Sequence, residues 1–311
     1  MLLKDVRDYQ ILFLSLFLVL GIGTRDWTLR TEFILVAIST CLLTQWLAES
    51  TISVWQKFKS QRISQVEITD LILLNPLKLH SIRSAIITSL GLSLLLRCDS
   101  YNTMILAGIL AILSKFLFKF RNKHFFNPAN FGIISVLILT SDAWVSPGQW
   151  GDDWWYALLF AGTGSMVLKQ VGRWDTTVAF LGSYALLEAI RNLTFGWTWD
   201  VFFHRLMSGS LLLFALFMIT DPRSIPNARI SRLIWALGIA VLTFVLRNQF
   251  YISTAVFWAL FALSPLTIIF DFIWLAPMFS WRELENQSNI RKDDASTTIV
   301  NTALSLNVSK T

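Results

Sequence analysis

Charge is scarce in this chain, and the scarcity fixes its class. Only 15% of the 311 residues are charged, against 54% hydrophobic, where soluble domains carry roughly a quarter charged. A soluble globular enzyme is excluded on that balance, and the mean hydropathy of +0.57 agrees. Cysteine is almost missing too. Cys41 and Cys98 stand far apart without CxxC or metal-ligand spacing, so neither a disulfide framework nor a metal site is implied. P-loop, nucleophile-elbow, HExxH and dinucleotide-fingerprint patterns are also absent, which leaves the chain without a nucleotide site of its own. The net charge of +6 does not indicate nucleic acid, because the Lys and Arg residues sit in short loops that orient a membrane protein. Membrane lipids are the expected surroundings, at a multi-pass position in the cell membrane.

What the chain has instead is apolar runs. A membrane crossing needs about 20 apolar residues, and ten segments qualify or nearly do: 9–23, 29–48, 81–96, 101–119, 129–141, 153–170, 174–190, 201–219, 231–247 and 250–275. The first follows Lys4 and Arg7 and lacks a small-residue cleavage site, so it reads as a retained anchor. With the N-terminus inside, sixteen of the 26 Lys and Arg fall in inner connections, while Arg25, Arg30, Arg97, Arg191, Arg205 and Arg247 fall on the outer side. The outer connection after the fifth segment holds Asp142, Asp152 and Asp153 and no base. This distribution predicts an all-α polytopic bundle of about ten transmembrane helices with both termini cytoplasmic. Residues 1–280 form the membrane domain. The polar, Ser/Thr/Asn-rich stretch 281–311 is expected to be a disordered cytoplasmic tail.

Several stretches depart from simple spans. Ser53 to Lys59, with Trp55 ahead of two lysines, reads as an interfacial helix. Asp70 to Leu77 reads as a lead-in to the third span or as a short re-entrant piece. Pro265 predicts a kink in the last segment. Trp150, Trp154, Trp155, Trp197 and Trp199 near segment ends fit an aromatic belt. Ten spans also invite a five-plus-five inverted repeat, although the halves show no sequence match.

Polar residues inside such a chain are the candidates for chemistry. In Lys123-His124-Phe125-Phe126-Asn127-Pro128-Ala129-Asn130, a proline-capped helix start accounts for Asn127 and Pro128. It leaves Asn130, Lys123 and His124 unexplained. Asp221, in Thr220-Asp221-Pro222, ends a strongly apolar run, and Asp271 lies late in the tenth segment. A carboxylate at such a place is a functional candidate by default, with a plain cytoplasmic turn as the other reading of Asp221. His204 and Arg205 read as snorkelling side chains. Ala161-Gly162-Thr163-Gly164-Ser165 reads as a close helix contact.

Taken in order, Ser84 to Leu90, Phe126-Asn127-Pro128-Ala129-Asn130-Phe131-Gly132, Met218-Ile219-Thr220-Asp221-Pro222 and Ile269-Phe270-Asp271 resemble a known membrane family. It contains the NqrB component of the sodium-pumping NADH:quinone reductase and the RnfD component of the Rnf electron-transport complex. Length and compact loops are most similar to its UnbU-like branch. The resemblance implies ten spans, electron transport linked to ion movement, and association with other membrane redox subunits. It places cofactor contacts at Asn127, Pro128, Asn130 and Asp221, and an ion pathway at Asp221 and Asp271. In the redox members, a Ser-Gly-Ala-Thr-like motif after the Asn-Pro segment carries a covalent flavin mononucleotide. Residues 140–152 contain no such motif, so a covalent flavin is not expected, and a noncovalent flavin or a quinone is. The competing reading is a transporter-like or assembly scaffold without a redox cofactor.

Overall fold

The computed structural model describes residues 5–25, 31–59, 79–145 and 154–281. The stretch Asp70–Leu77 and the tail beyond Trp281 lie outside the described residues. Helices are α1 (Val6–Arg25), α2 (Thr31–Lys59), α3 (Leu79–Leu95), α4 (Tyr101–Leu117), α5 (Pro128–Leu139), α6 (Trp154–Val171) and α7 (Trp174–Phe195). They continue as α8 (Trp199–Leu206), α9 (Gly209–Leu213), α10 (Arg229–Asn248), α11 (Ala255–Leu263) and α12 (Leu266–Ile273). A π-helical turn, Phe214–Met218, extends α9. Among the described residues four short strands pair two by two, β1 (Leu96–Cys98) with β4 (Ala143–Val145) and β2 (Lys119–Phe120) with β3 (Lys123–His124).

This is an all-α membrane protein. By length and composition α1, α2 and α10 are each able to cross a membrane. Two bent pairs, α8 with α9 and its π turn (49°) and α11 with α12 (48°), raise the number among the described residues to as many as five. Helices α3, α4 and α5 are shorter and apolar. The α11–α12 bend falls at Ser264–Pro265, where the proline predicted it. Two expectations change. The interfacial helix at Ser53–Lys59 is not separate, because α2 runs unbroken to Lys59; no proline or glycine interrupts it. The eighth segment is not a simple span, because it turns at Met207–Ser208 and its first part, α8, buries none of its residues.

Packing repeats along the chain. Helix α4 packs between α2 and α5, as α10 packs between α7 and α11. These two triplets thus share an order of contact that their sequences do not display. The core between them is aromatic: Phe17 of α1 meets Phe160 and Phe217 edge-on at 4.7 and 5.6 Å. Small residues set the closest contacts, the usual device where lipid supplies no hydrophobic drive between helices. Gly164 faces Leu216 of the π turn. A Cβ on Gly132 would lie 2.6 Å from the Ala107 carbonyl and 2.8 Å from Ala111 Cβ. The α4–α5 contact therefore requires glycine there. Ser100 caps α4 by accepting from the Thr103 amide, and Asp142 beyond α5 accepts from the Ser100 amide (3.1 Å) and Thr103 Oγ1 (2.7 Å). That tie and the β1–β4 ladder close the end of the α4–α5 pair away from the β2–β3 hairpin.

Gly132→Ala is expected to force α5 off α4 and lower stability by about 1–3 kcal/mol. Thermal unfolding of the detergent-solubilised variant checks this, with Gly162→Ala as a control, since a Cβ there meets nothing within 4 Å.

Candidate functional site

The site is built from the β2–β3 hairpin. Its two turn residues, Arg121 and Asn122, both have positive φ (48° and 64°), the primed geometry that suits a two-residue hairpin. Neighbouring side chains on a strand point to opposite faces, and Lys123 and His124 take different partners accordingly. Lys123 Nζ bonds Asp271 Oδ2 at 2.6 Å, Asn227 Oδ1 at 3.1 Å and the Ile225 carbonyl. The other Asp271 oxygen accepts from the Asn227 amide at 2.7 Å. His124 Nε2 faces Asp221 Oδ2 at 3.6 Å, too far for a hydrogen bond, and has no hydrogen-bond partner.

The chain then enters α5. Asn127 is extended (φ −67°, ψ 124°), its Oδ1 accepts from the Asn130 amide at 3.1 Å, and Pro128 opens the helix. The proline-capped reading is what the structure shows locally, and it is only half of the role. Asn127 Nδ2 also donates to the Met218 carbonyl at 3.1 Å, at the end of the π turn. The wider turn leaves carbonyls without their regular partners. Thr177 Oγ1 takes that of Ala215 at 2.7 Å and Thr220 Oγ1 that of Leu216 at 2.9 Å. Asn130 Nδ2 bonds the Phe257 carbonyl of α11 at 3.1 Å, leaving its buried Oδ1 unpartnered.

Between α1, α3, the start of α5, α6 and the π turn lies a cavity of about 120 Å³. Most of its wall is apolar, with Leu14, Ile87, Leu94, Val167, Leu168 and Phe217 contributing. One end is polar: His124, Asn127, Asp221, Arg223, Ser84 and Arg7 all border it. Arg7 is held by Asp5, which with Asp8 also binds Arg83 and so fixes the start of α1 to α3. Asp221 is partly satisfied by the Arg223 amide (3.2 Å). Lys115 lies buried behind Ser84, donating to its Oγ and carbonyl at 3.1 and 3.2 Å. Trp281 completes the wall beside Arg7, 5.0 Å from ring centroid to guanidinium carbon. Burial, with the Arg223 and Lys115 charges adding to it, pushes His124 below its ordinary value of 6.5, and Asp221 only partly offsets this.

Of the residues singled out from sequence, Asn127, Pro128 and Asp221 meet at the cavity. Asn130 and Asp271 sit outside it, each on an adjoining support. His204 and Arg205 do not act as a snorkelling pair: Arg205 turns inward to Glu188 Oε2 (3.2 Å) and Asn248 (2.8 Å). Glu188 and Asp175 are not among the residues the sequence singles out. Both are acids within apolar segments, which was the available signal, and both are buried against arginines. Among the described residues no three His, Cys, Asp or Glu side chains converge as metal ligands.

Comparison with known proteins adds a second line. A family model described as the NQR2, RnfD, RnfE family matches residues 33–274. The D component of the ion-translocating oxidoreductase complex of Stutzerimonas stutzeri is 31% identical over 126 residues, 40% of this chain and 35% of that protein. The protein of the same name in Vibrio vulnificus is 34% identical over 96 residues, 30% and 27% of the two chains. The D component of the proton-translocating ferredoxin:NAD(+) oxidoreductase complex of Clostridium ljungdahlii is 30% identical over 115 residues, 37% and 34%. The chain therefore spans about a third of the length of the curated relatives it matches.

Two measurements probe the site. A histidine held below 6.5 binds fewer protons folded than unfolded, so its contribution is fully present above pH 6.5 and is lost as pH falls below it. The thermal midpoint should fall between about pH 7 and about pH 5.5, and His124→Gln should flatten that slope. Lys123→Met leaves the Asp271 carboxylate without its cation and should cost roughly 3–5 kcal/mol. Adding Asp271→Leu should recover most of it in a double-mutant cycle.

Proposed function

The chain belongs to the NQR2, RnfD, RnfE family, and on that footing we propose that it is the membrane subunit of an electron-transport assembly that moves ions across the membrane beside other membrane redox subunits. All ten apolar segments cross the bilayer in this reading, with both ends cytoplasmic. Supporting it are the sixteen bases on inner connections and the repeated packing of α2–α4–α5 and α7–α10–α11. The β2–β3 hairpin, Asn127 and Asp221 then lie toward the cytoplasmic face.

One observation carries the site assignment: the buried, unpartnered His124 Nε2 beside Asp221 at the polar end of an otherwise apolar cavity. That donor set fits a ring with an apolar body and a polar edge. We place a quinone ring, or one edge of a noncovalent flavin ring system, there, since about 120 Å³ accommodates a single six-membered ring, bordered by Asn127, Pro128 and Asp221, with Asn130 anchoring α5 against α11. When bound, such a ring supplies the electron chemistry, while the protein orients it. His124 would donate to or accept from the ring edge, and Asp221, 3.6 Å from the same nitrogen, would set the charge beside it. The ion route passes Asp221. Asp271, with both oxygens engaged by Lys123 and Asn227, borders that route as a fixed counter-charge. No covalent flavin is part of this reading. The connection 140–153 is short, and β4 within it is paired to β1. The same shortness favours the second reading, a transporter-like or assembly scaffold without a redox cofactor.

Absorbance and solvent extraction of the purified protein distinguish the two. Near one flavin or quinone per chain, released on denaturation and leaving no fluorescent band on a denaturing gel, is the expected result. His124→Phe should lower its retention roughly tenfold, the scale of one lost hydrogen bond to a polar edge. Neither cofactor in the wild type, together with an Asp221→Asn variant that folds and loses ion transport, would establish the scaffold reading instead.

A further inference from the structure

Lys115 is a buried cation to which the site described above gives no task. It belongs to the last turn of α4. Its Nζ donates to the Ser84 carbonyl at 3.2 Å and to Ser84 Oγ at 3.1 Å. An ammonium carries three donors, and the third meets no described group. No carboxylate among the described residues comes within the 4.0 Å of an ion pair. Farther out, Glu49 of α2 accepts from Gln45 at 2.8 Å and Ser81 at 2.6 Å, and it acts on Lys119 as well as on Lys115. A buried charge without an acid beside it is costly. An ionisable residue within an apolar segment marks a functional place by default.

Ser84 brings that charge to the cavity, whose wall it joins from α3. Its Oγ accepts from the ammonium, and its own hydrogen is donated to no described group. A hydroxyl polarised by a cation on one side donates more strongly on the other. The other charges at this end leave room for an anion. Arg7 and Arg83 are matched by Asp5 and Asp8. The Arg223 side chain donates only to the Asn122 carbonyl, at 3.4 Å. Among the described residues that border the cavity or bond to its wall, Asp221 is then the one acid set against Lys115 and Arg223, an excess of one positive charge. A small inorganic anion would gain nothing from the largely apolar wall. A ring with one negative charge at its edge is matched on both counts.

We propose that Lys115, acting through Ser84, makes the cavity select a singly negative ring over a neutral one. The inference rests on the ring assignment above and sharpens it. Two electrons from a partner redox subunit and one proton leave a quinone or a flavin ring with one negative charge, and Lys115 is the positioning residue that favours that form. Benzoate and benzamide are single rings of nearly equal size that differ by one charge. Equilibrium dialysis of each against the full chain, purified in detergent and freed of any resident ring, tests the selection. The wild type should hold benzoate roughly tenfold more tightly, the scale of one charge-assisted bond. Lys115→Met should erase that preference and leave benzamide binding unchanged, and Ser84→Ala should reduce it. Equal binding of the two probes by the wild type overturns the proposal. So does a preference that survives Lys115→Met, which would assign it to Arg223. If Lys115→Met fails to fold, an unaltered preference in Ser84→Ala overturns it instead. Absorbance reports separately whether a flavin or quinone is present, so a chain that holds neither yet selects benzoate sinks the redox reading and keeps this one. Where the ring is present, reductive titration with dithionite should find its midpoint about 30 mV lower in Lys115→Met, a tenfold change for a two-electron couple. An unmoved midpoint overturns the proposal.

Discussion

The amide of Asn127 is the interaction on which this arrangement rests. Backbone inside a bilayer has no water to turn to, so each broken turn must find its partners within the protein. Asn127 serves two breaks at once, accepting from the first turn of α5 and donating to the last carbonyl of the π turn. Thr177, Thr220 and Asn130 complete the accounting at Ala215, Leu216 and Phe257. With these bonds made, two interrupted helices meet end to side and leave a cavity where continuous helices would have packed solid. A membrane tolerates irregular backbone where protein buries it or where it lines a cavity, and this junction does both.

The two acids nearest this junction have different electrostatic characters. Asp271 is locked, with both oxygens bonded and a lysine ammonium at 2.6 Å. Asp221 is open, facing a neutral imidazole across 3.6 Å beside the cavity. A locked pair holds elements in place. An open pair near a cavity responds to whatever enters. The difference lies in burial and partners, since both are aspartates at the end of an apolar segment.

Much of this was legible in the chain. The apolar runs placed most helices to within a few residues, because hydrocarbon thickness and hydrophobicity leave little choice of element, while α2 runs on to Lys59, well past the expected end at 48. Pro265 foretold its bend, and Asn127-Pro128 foretold a helix start. What the sequence could not display was which broken ends meet. The contact of Asn127 with Met218 links positions 91 apart, and no local pattern encodes it. The bend between α8 and α9 was overlooked although Ser208-Gly209-Ser210 interrupts the apolar run there, a small-residue pair of the kind at which helices kink. Arg205 was misread because no local pattern shows its partner. Its partner Glu188 is on another helix, and a long cationic side chain near a segment end looks the same whether it reaches out to water or in to a carboxylate.

The two-residue turn at Arg121–Asn122 carries a consequence of its own. Lys123 and His124 are neighbours on a short strand, and strand geometry alone decides which acid each one meets. An extra residue in that turn would carry the ammonium to the cavity and the imidazole to the Asp271 lock. The cavity would then border an ammonium where a neutral imidazole now stands, and the strut between hairpin and α12 would loosen whenever its imidazole lost a proton. In this fold the length of a loop assigns charge, so an insertion that substitutes no residue would still rewrite the polarity of the site.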